Sequence, residues 1–420
     1  MVFHDEVDQE SSTELTLASC SQQFGDASFE AVDVEEPRKP IAHFDRSEVK
    51  LGKQIGEGYF SKVYEINGFQ LDHHGNDHYY SPEEQELRQA YHQQVADANG
   101  SGRFVLKHLK PRLLQAGRND FENAVVDLVA EATFLQQLQH PNILSLKGLA
   151  RGGTDAFRGG TYESYFLITE RLSETLAQRI HRWRKQLQKG GTDKNDGSNK
   201  TTSTQRLGAK CHYALQIAQA LRYLHHHQLI FRDVKTDNIG FAQDDPDKIQ
   251  LFDFGLCRKL PESNQLDDVF RMSGGVGTRR YCAVEVCRHQ PYNAKADTYS
   301  WGIVFWELLT LQKPFADFTK EDHYKFVCEL GGTPNLSRHS NVIPPSIQTM
   351  LRHCWARNVS KRWTMAQVCD SLQDIIHTDD DLQYPRAAEP RQDRLALQQH
   401  RQSSFVWRGT RRRSKVTVAA

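Results

Sequence analysis

A chain of 420 residues with 38% hydrophobic residues has room for a sizeable core in one large or two ordinary domains. Its 53 Lys and Arg balance 53 Asp and Glu, so no global field calls for nucleic acid or a bilayer surface as partner. The longest apolar run, 301–311, is too short for a membrane span and is broken by Glu307, in keeping with a mean hydropathy of −0.66.

Residues 1–40 are rich in Asp, Glu, Ser and Gln, with no Lys or Arg before Arg38, and read as a disordered acidic arm. The opening Met1-Val2-Phe3-His4-Asp5-Glu6 has neither a basic nor an apolar leader region, so no secretory signal is expected. Strands are predicted over 48–55 and 62–69, flanking a glycine-bearing turn. Residues 70–102 interrupt the strand pattern. Within them Ser81 as N-cap, Pro82 at N1 and Glu84 at N3 form a capping box ahead of Leu87, Tyr91 and Val95. This predicts an inserted helix, ended by Asn99-Gly100-Ser101-Gly102.

A strand follows over 103–109, then a strong helix over 121–139 with Val125, Leu128, Val129, Thr133 and Leu138 near one face. Two more strands are expected over 143–149 and 165–169. Helical patterns dominate afterwards, over 174–187, 207–227, 296–311, 320–330, 345–355 and 364–376. Residues 188–205, rich in Gly, Asp, Asn, Lys, Ser and Thr, read as a polar loop. Arg dominates from 386 onward, and 377–420 read as a flexible basic tail, either solvated or bound to an acidic partner. The eight cysteines form no C-x-x-C pair and read as reduced, mostly core thiols of a cytoplasmic or nuclear protein.

Three stretches carry chemistry. In Ile55-Gly56-Glu57-Gly58-Tyr59-Phe60-Ser61-Lys62-Val63, Gly56 and Gly58 let backbone N–H groups approach phosphate oxygens with no Cβ in the way. Alone this is an ordinary hairpin signal. Lys107 lies on an apolar strand, where a lone Lys is usually a solvated edge residue. Glu131 in the next helix supplies a carboxylate to pair with it, and such a pair can present the Lys to phosphates.

The third stretch, Phe231-Arg232-Asp233-Val234-Lys235-Thr236-Asp237-Asn238, is followed by Phe252-Asp253-Phe254-Gly255. Asp233 is the candidate base for a hydroxyl nucleophile, and Lys235 can neutralise charge on a phosphoryl group in transfer. Asn238 and Asp253 are oxygen ligands suited to magnesium, a hard cation. Each residue alone is an ordinary loop residue; the set in this order is not.

Over about residues 49–376 the chain resembles the eukaryotic protein kinase family. The resemblance implies an α+β, bilobal fold: a small β-rich lobe with one main helix over 41–170, and a larger, mostly helical lobe over 171–376. It implies ATP and Mg2+ as cofactors and protein substrates as partners. Gly56, Gly58 and Val63 match the glycine loop and adenine roof, and Lys107 with Glu131 the ion pair. His140-Pro141-Asn142-Ile143 matches the lead into the fourth strand. Thr169 falls at the position controlling access behind the adenine, with Glu170 to Leu172 at the hinge. Asp233, Lys235 and Asn238 match the catalytic loop, and Asp253, Phe254 and Gly255 the metal-binding triplet. Gly277 and Thr278 match the end of the activation segment, Asp297 a buried anchor of the catalytic loop, and Glu285 with Arg362 a structural ion pair.

Three positions depart from the family pattern. Phe231 replaces a His, and Ala283-Val284-Glu285 replaces Ala-Pro-Glu. Phe231 keeps an aromatic ring for a column with Phe254, Leu135 and Leu146, so activity is expected to survive. Ser61 stands for a third glycine. Lys235-Thr236 resembles the Ser/Thr-directed form of the loop, while 301–308, Cys354-Trp355 and Arg362-Trp363 resemble the tyrosine-kinase-like group. Thr278 is placed to help admit a Ser or Thr hydroxyl.

Arg232 is expected to meet a phosphate on the activation segment, with Ser273 first and Ser263 second as acceptor, or else a carboxylate such as Asp267 or Asp268. His225-His226-His227 read as helix-terminal residues, and His73, His74 and His78 as solvated. The competing readings are a catalytically impaired scaffold, a dual-specificity or tyrosine kinase, and a small-molecule kinase.

Overall fold

Hydrophobic alternation in the first third of the chain builds strands that must cover one another. The computed structural model describes residues 40–71, 80–95, 102–114, 118–154, 157, 164–189, 199–262 and 267–378. The arm 1–39, the tail 379–420, Cys20, His73, His74, His78 and Ser263 lie outside the described residues.

The strands are β1 (Ala42–Phe44), β2 (Val49–Glu57), β3 (Ser61–Phe69), β4 (Phe104–Leu109), β5 (Leu146–Ala150) and β6 (Phe166–Glu170). They form one sheet in the order β1-β5-β6-β4-β3-β2. Neighbours are antiparallel except β1, which runs parallel to β5. The sheet is strongly coiled. Phe44 on β1 stacks on Phe69 at the end of β3, with ring centroids 4.8 Å apart, although three strands separate them in the order. The sequence gives no alternating signal for the short β1, which the strand reading missed.

The inserted segment is part of this lobe. Helix α1 (Pro82–Gln93) starts as expected, with Ser81 accepting from the Glu84 backbone N–H. Glu84 does not close the capping box. Its carboxylate accepts instead from the His43 N–H on β1, at 2.7 Å. Arg88 is buried against Glu48 at 2.5 Å and lies over the rings of Tyr80 and Phe44. Tyr91 meets Phe104 edge-on. The helix thus covers the seam between β1 and β3, which explains how an insertion of this length is tolerated. Helix α2 (Arg118–Gln137) is the main helix of the lobe, with Leu128, Val129 and Leu135 buried, and Leu138 buried just after its end.

The larger lobe starts at β7 (Leu172–Thr175), which pairs with β9 (Ile239–Ala242), itself paired with β10 (Ile249–Leu251). A second small pair joins β8 (Leu229–Ile230) to β11 (Arg258–Lys259). These strands are too short to show periodicity and were not expected. The helices are α3 (Leu176–Lys189), α4 (Asn199–His226), α5 (Val284–Cys287), α6 (Lys295–Thr310), α7 (Lys320–His323), α8 (Pro345–Cys354) and α9 (Met365–Thr378). Two boundaries differ from expectation. Residues 188–205 are helical at both ends, inside α3 and α4. The helix expected over 320–330 is α7 followed by a π-helical turn, Tyr324–Glu329.

Helix α6 is buried on all sides from Lys295 to Leu309. Trp301 donates its indole N–H to the Ala214 carbonyl of α4 at 3.0 Å, which satisfies its polar edge inside the core. The lobes are stitched together ahead of the triplet 253–255. Leu144 N–H donates to the Leu251 carbonyl and Leu251 N–H to the Asn142 carbonyl, both at 2.9 Å. The Asn142 amide donates to the Ile249 carbonyl at 2.8 Å. Among the described residues no helix is long and apolar enough to cross a membrane.

Candidate functional site

Asp297, in the first turn of α6, is 1% exposed. Its carboxylate accepts the backbone N–H groups of Phe231 at 2.8 Å and Arg232 at 2.9 Å, and meets His225 Nε2 at 3.0 Å. Two consecutive N–H groups reach one carboxylate only if the chain bends sharply, and Arg232 takes φ +69°. His225 was read as a helix-terminal residue; it is a third partner of this anchor.

The bend delivers Asp233. Its Oδ2 accepts from Lys235 Nζ at 2.6 Å and from the Asn238 amide at 2.9 Å, and its Oδ1 from the Thr278 hydroxyl at 2.8 Å. Asn238 also donates to the Asp233 carbonyl at 3.0 Å. With its nitrogen so engaged, Asn238 keeps its carbonyl oxygen as the acceptor end. Gly277 sits at φ +81°, and a Cβ there would come within 2.5 Å of the Arg232 carbonyl. Only glycine lets the end of this segment lie against the loop.

Lys107 Nζ is shared between Glu131 Oε2 at 2.6 Å and Asp253 Oδ1 at 2.8 Å. Burial opposes the Lys107 charge, but Asp253 and Glu131 outweigh it and hold the ammonium above its ordinary value. Lys107 in turn holds Asp253 below the usual carboxylate range, whereas burial pushes Glu131 up. Asp253 is left-handed at φ +68°. A Cβ on Gly255 would meet Asp127 Cβ at 3.1 Å and its carbonyl at 3.2 Å, so glycine allows the triplet to pack on α2. Phe254 is fully buried, edge-on to Phe231 at 5.0 Å, and Leu135 and Leu146 belong to the same core. The contact expected between the Phe231 and Phe254 rings is present.

The remaining expected residues fall around this centre. Val63 is paired with Gly56 on β2 and with Lys107 on β4. Gly58 N–H donates to the Ser61 carbonyl at 2.9 Å, closing the turn. Thr169 is buried on β6, next to the hinge where Glu170 pairs with Lys147 at 2.7 Å and Leu172 opens β7. Glu285 and Arg362 form a buried two-pronged pair at 2.5 and 3.0 Å, with Val284 buried beside it.

Arg232 donates to the Leu256 carbonyl at 2.6 Å and to the Ser273 hydroxyl at 2.8 Å. Of the expected carboxylate alternatives, Asp267 pairs with Lys295 at 2.6 Å. Tyr292, which pattern reading missed, donates to the Ser273 carbonyl at 2.8 Å. Burial, and after it the Arg232 charge, push Arg258 below its ordinary value, while its guanidinium donates to the Gly255 and Cys257 carbonyls at 2.7 Å.

Behind the loop, Tyr281 donates to Glu307 at 2.6 Å and Thr236 lies 3.1 Å from the Tyr281 hydroxyl. Glu307 was legible only as a break in an apolar run. Burial pushes its carboxyl up to about 7, from an ordinary value of 4.5, against the pull of the Tyr281 hydrogen bond.

The family model described as "Protein kinase domain" matches residues 93–372. The match begins at the last residue of α1, within the 70–102 insertion, while β2 and β3 ahead of it still occupy their places in the sheet. The chain is similar to serine/threonine-protein kinase VIK of Arabidopsis thaliana, 27% identical over 65% of this chain and 55% of that one. It is similar to serine/threonine-protein kinase STY17 of the same plant, 31% identical over 39% of this chain and 27% of the relative. It is also similar to serine/threonine-protein kinase mos of Patiria pectinifera, 29% identical over 59% of this chain and 63% of the relative. The chain thus spans less than two thirds of each of these relatives.

The buried Glu307 yields a pH prediction. With a folded value near 7 and an unfolded value near 4.5, the folded chain keeps a proton that the unfolded chain has released. The stability from this group is fully present below about pH 4.5 and is lost as pH rises through about 7. Urea unfolding of wild type and Glu307→Gln across this window should show the wild type losing stability relative to the variant. Parallel curves would mean that Glu307 does not carry the proton.

Proposed function

The chain belongs to the protein kinase family, and on that premise we propose that it is a working kinase that transfers the γ-phosphoryl group of ATP to Ser or Thr hydroxyls of proteins. The observation that carries the proposal is the shared Lys107: one ammonium holding both Glu131 and Asp253, opposite an Asp233 oriented by three donors. A scaffold has no need of such a set.

The roles follow from the geometry. Asp233 orients the acceptor hydroxyl and takes its proton as the new O–P bond forms and the bond to the leaving ADP breaks. Lys235, beside Asp233, faces the charge of the transferred group. Lys107 serves the α- and β-phosphates, and the Cβ-free Gly56 and Gly58 leave room for backbone N–H groups above them. Asn238 and Asp253 present oxygens that fit magnesium, which would screen the phosphate charge when bound. Thr278, bonded to Asp233, supports a Ser/Thr preference, and so do the names of the relatives. Intracellular signalling is the role that suits such an activity.

Arg232 and Tyr292 around Ser273 support regulation by phosphate. A phosphoryl group on Ser273 would meet the Arg232 guanidinium, which already donates to its hydroxyl, and Arg232 is tied through its backbone to the Asp297 anchor.

Purified chain incubated with magnesium and ATP, then read by mass spectrometry, should carry phosphate on Ser or Thr. Asp233→Asn should transfer about 10²–10⁴-fold more slowly. Phosphate confined to Tyr would favour the tyrosine-directed reading, and a wild type no faster than Asp233→Asn would favour the scaffold. Ser273→Ala should lower peptide phosphorylation about tenfold, the scale of one hydrogen bond to a charged group. Unchanged rates after verified phosphatase treatment of the wild type would remove Ser273 from the account.

A further inference from the structure

The face of the sheet that carries Lys107 holds a second charged residue, one with no part in the transfer described above. Residues paired across a ladder point to the same side, and alternate residues of a strand share a face. Between β3 and β4, Val63 is paired with Lys107 and Glu65 with Val105. Val105 is paired in turn with Thr169 on β6. Glu65 therefore stands on the cleft side of the sheet, in the row of Thr169, displaced from the Lys107 row toward the hinge.

Three segments of the chain meet at this carboxylate. Its Oε1 accepts from Arg171 Nη1 at 2.7 Å and from the Gly102 backbone N–H at 3.1 Å. Arg171 is the middle residue of the hinge, and Gly102 is where the insertion returns to the sheet. Arg171 Nη1 also reaches the Gly102 carbonyl at 3.4 Å, and the Arg171 backbone N–H donates to the Arg103 carbonyl at 2.9 Å. The Arg103 N–H donates to the Val95 carbonyl, just past α1, at 2.8 Å. A Cβ on Gly102 would come within 2.8 Å of Glu65 Cγ and 2.9 Å of the Ile66 carbonyl, so only glycine lets the insertion close here.

The side chains of Arg171 and Glu65 are 21% and 13% exposed, so solvent screens the pair only lightly. Lys53, 4.0 Å from Glu65 and 71% exposed, adds little. The neighbouring hinge residue, Glu170, is held by Lys147 on β5 at 2.7 Å, and its charge, after burial, raises Tyr91 on α1. Both residues ahead of Leu172 are thus tied to the small lobe. A largely buried ion pair is a poor source of net stability, because packed apolar side chains would serve as well; its effect is to fix relative position.

We propose that Glu65 and Arg171 are positioning residues for the nucleotide: their ion pair, closed by the end of the insertion, holds the hinge at a fixed distance from β3 and so sets the width of the adenine end of the cleft. The inference rests on the kinase reading above. The partners of Asp233, Asn238 and Asp253 lie elsewhere, so loosening the pair weakens nucleotide binding before it slows the transfer.

The test is calorimetric titration of the full chain with magnesium-ADP, with KM for ATP and kcat measured alongside on a Ser/Thr peptide. Glu65→Gln and Arg171→Gln should each raise the ADP dissociation constant and KM about tenfold, and the double variant should lose no more than either alone. The rate at saturating ATP should fall less than about twofold. Arg151→Gln, which breaks the Asp45–Arg151 ion pair of the same lobe, should bind ADP as wild type does. Arg171→Gln, at the more exposed partner, carries the test if Glu65→Gln does not fold. Unchanged ADP affinity, additive losses in the double variant, a loss confined to kcat, or an equal loss in Arg151→Gln overturns the proposal. If no phosphate is transferred, the kinase reading fails and the calorimetry still decides for the pair. A wild type that binds no magnesium-ADP overturns both.

Discussion

The carboxylate of Asp297 is the contact from which the catalytic segment hangs. It replaces water for two consecutive backbone N–H groups, those of Phe231 and Arg232. The left-handed Arg232 costs on the order of 1–3 kcal/mol, and such strain persists only where the surroundings over-determine it. Those surroundings are α6, buried along nearly its whole length, with Trp301 fixed to α4 and the Glu285–Arg362 pair packed beside its start. The most buried helix of the fold thus sets the angle at which Asp233 and the Arg232 side chain leave the chain. One points to the transfer site and the other to Ser273.

The small lobe is coupled to the large one through Lys107 and through packing of α2 on the triplet 253–255. Lys107 reaches Glu131 on α2 and Asp253 on the large lobe, so the position of one helix and one triplet are set by a single ammonium. Packing enforces the same arrangement, because Gly255 touches the α2 backbone and Phe254 fills the core against Phe231. This is why Phe231 is tolerated at a position where the family pattern has His. The ring is needed for its shape, and the hydrogen bonding near it is done by its backbone N–H on Asp297. The inserted α1 serves the lobe in a different way, closing a coiled sheet with a buried Arg88–Glu48 pair. Such a pair is better evidence for a fixed docking geometry than for net stability.

The candidate site was legible because phosphoryl transfer demands fixed residue types in fixed order, so Asp233, Lys235, Asn238 and Asp253 stand out without periodicity. The long helices and the main strands were legible from period. Strands β7 to β11 were not, because two to four residues show no pattern, and β1 was hidden by its shortness. The π-helical turn after α7 reads as ordinary helix, since its side chains follow a nearly helical period. His225 and Tyr292 were missed for another reason. Each meets a partner dozens of residues away, Asp297 and Arg232, and nothing in the local sequence distinguishes them from solvated or core residues. Glu84 shows the reverse error: a correct local motif whose carboxylate is claimed by β1.

The most direct measurement is the rate of phosphoryl transfer from ATP to a Ser/Thr peptide by Asp297→Asn, in protein whose thermal unfolding remains cooperative. An amide at 297 can accept one of the two N–H groups and must turn a donor toward the other. The account predicts a fall of about 100-fold or more, the scale of misplacing a reacting group by an ångström. A rate within about twofold of wild type would contradict it.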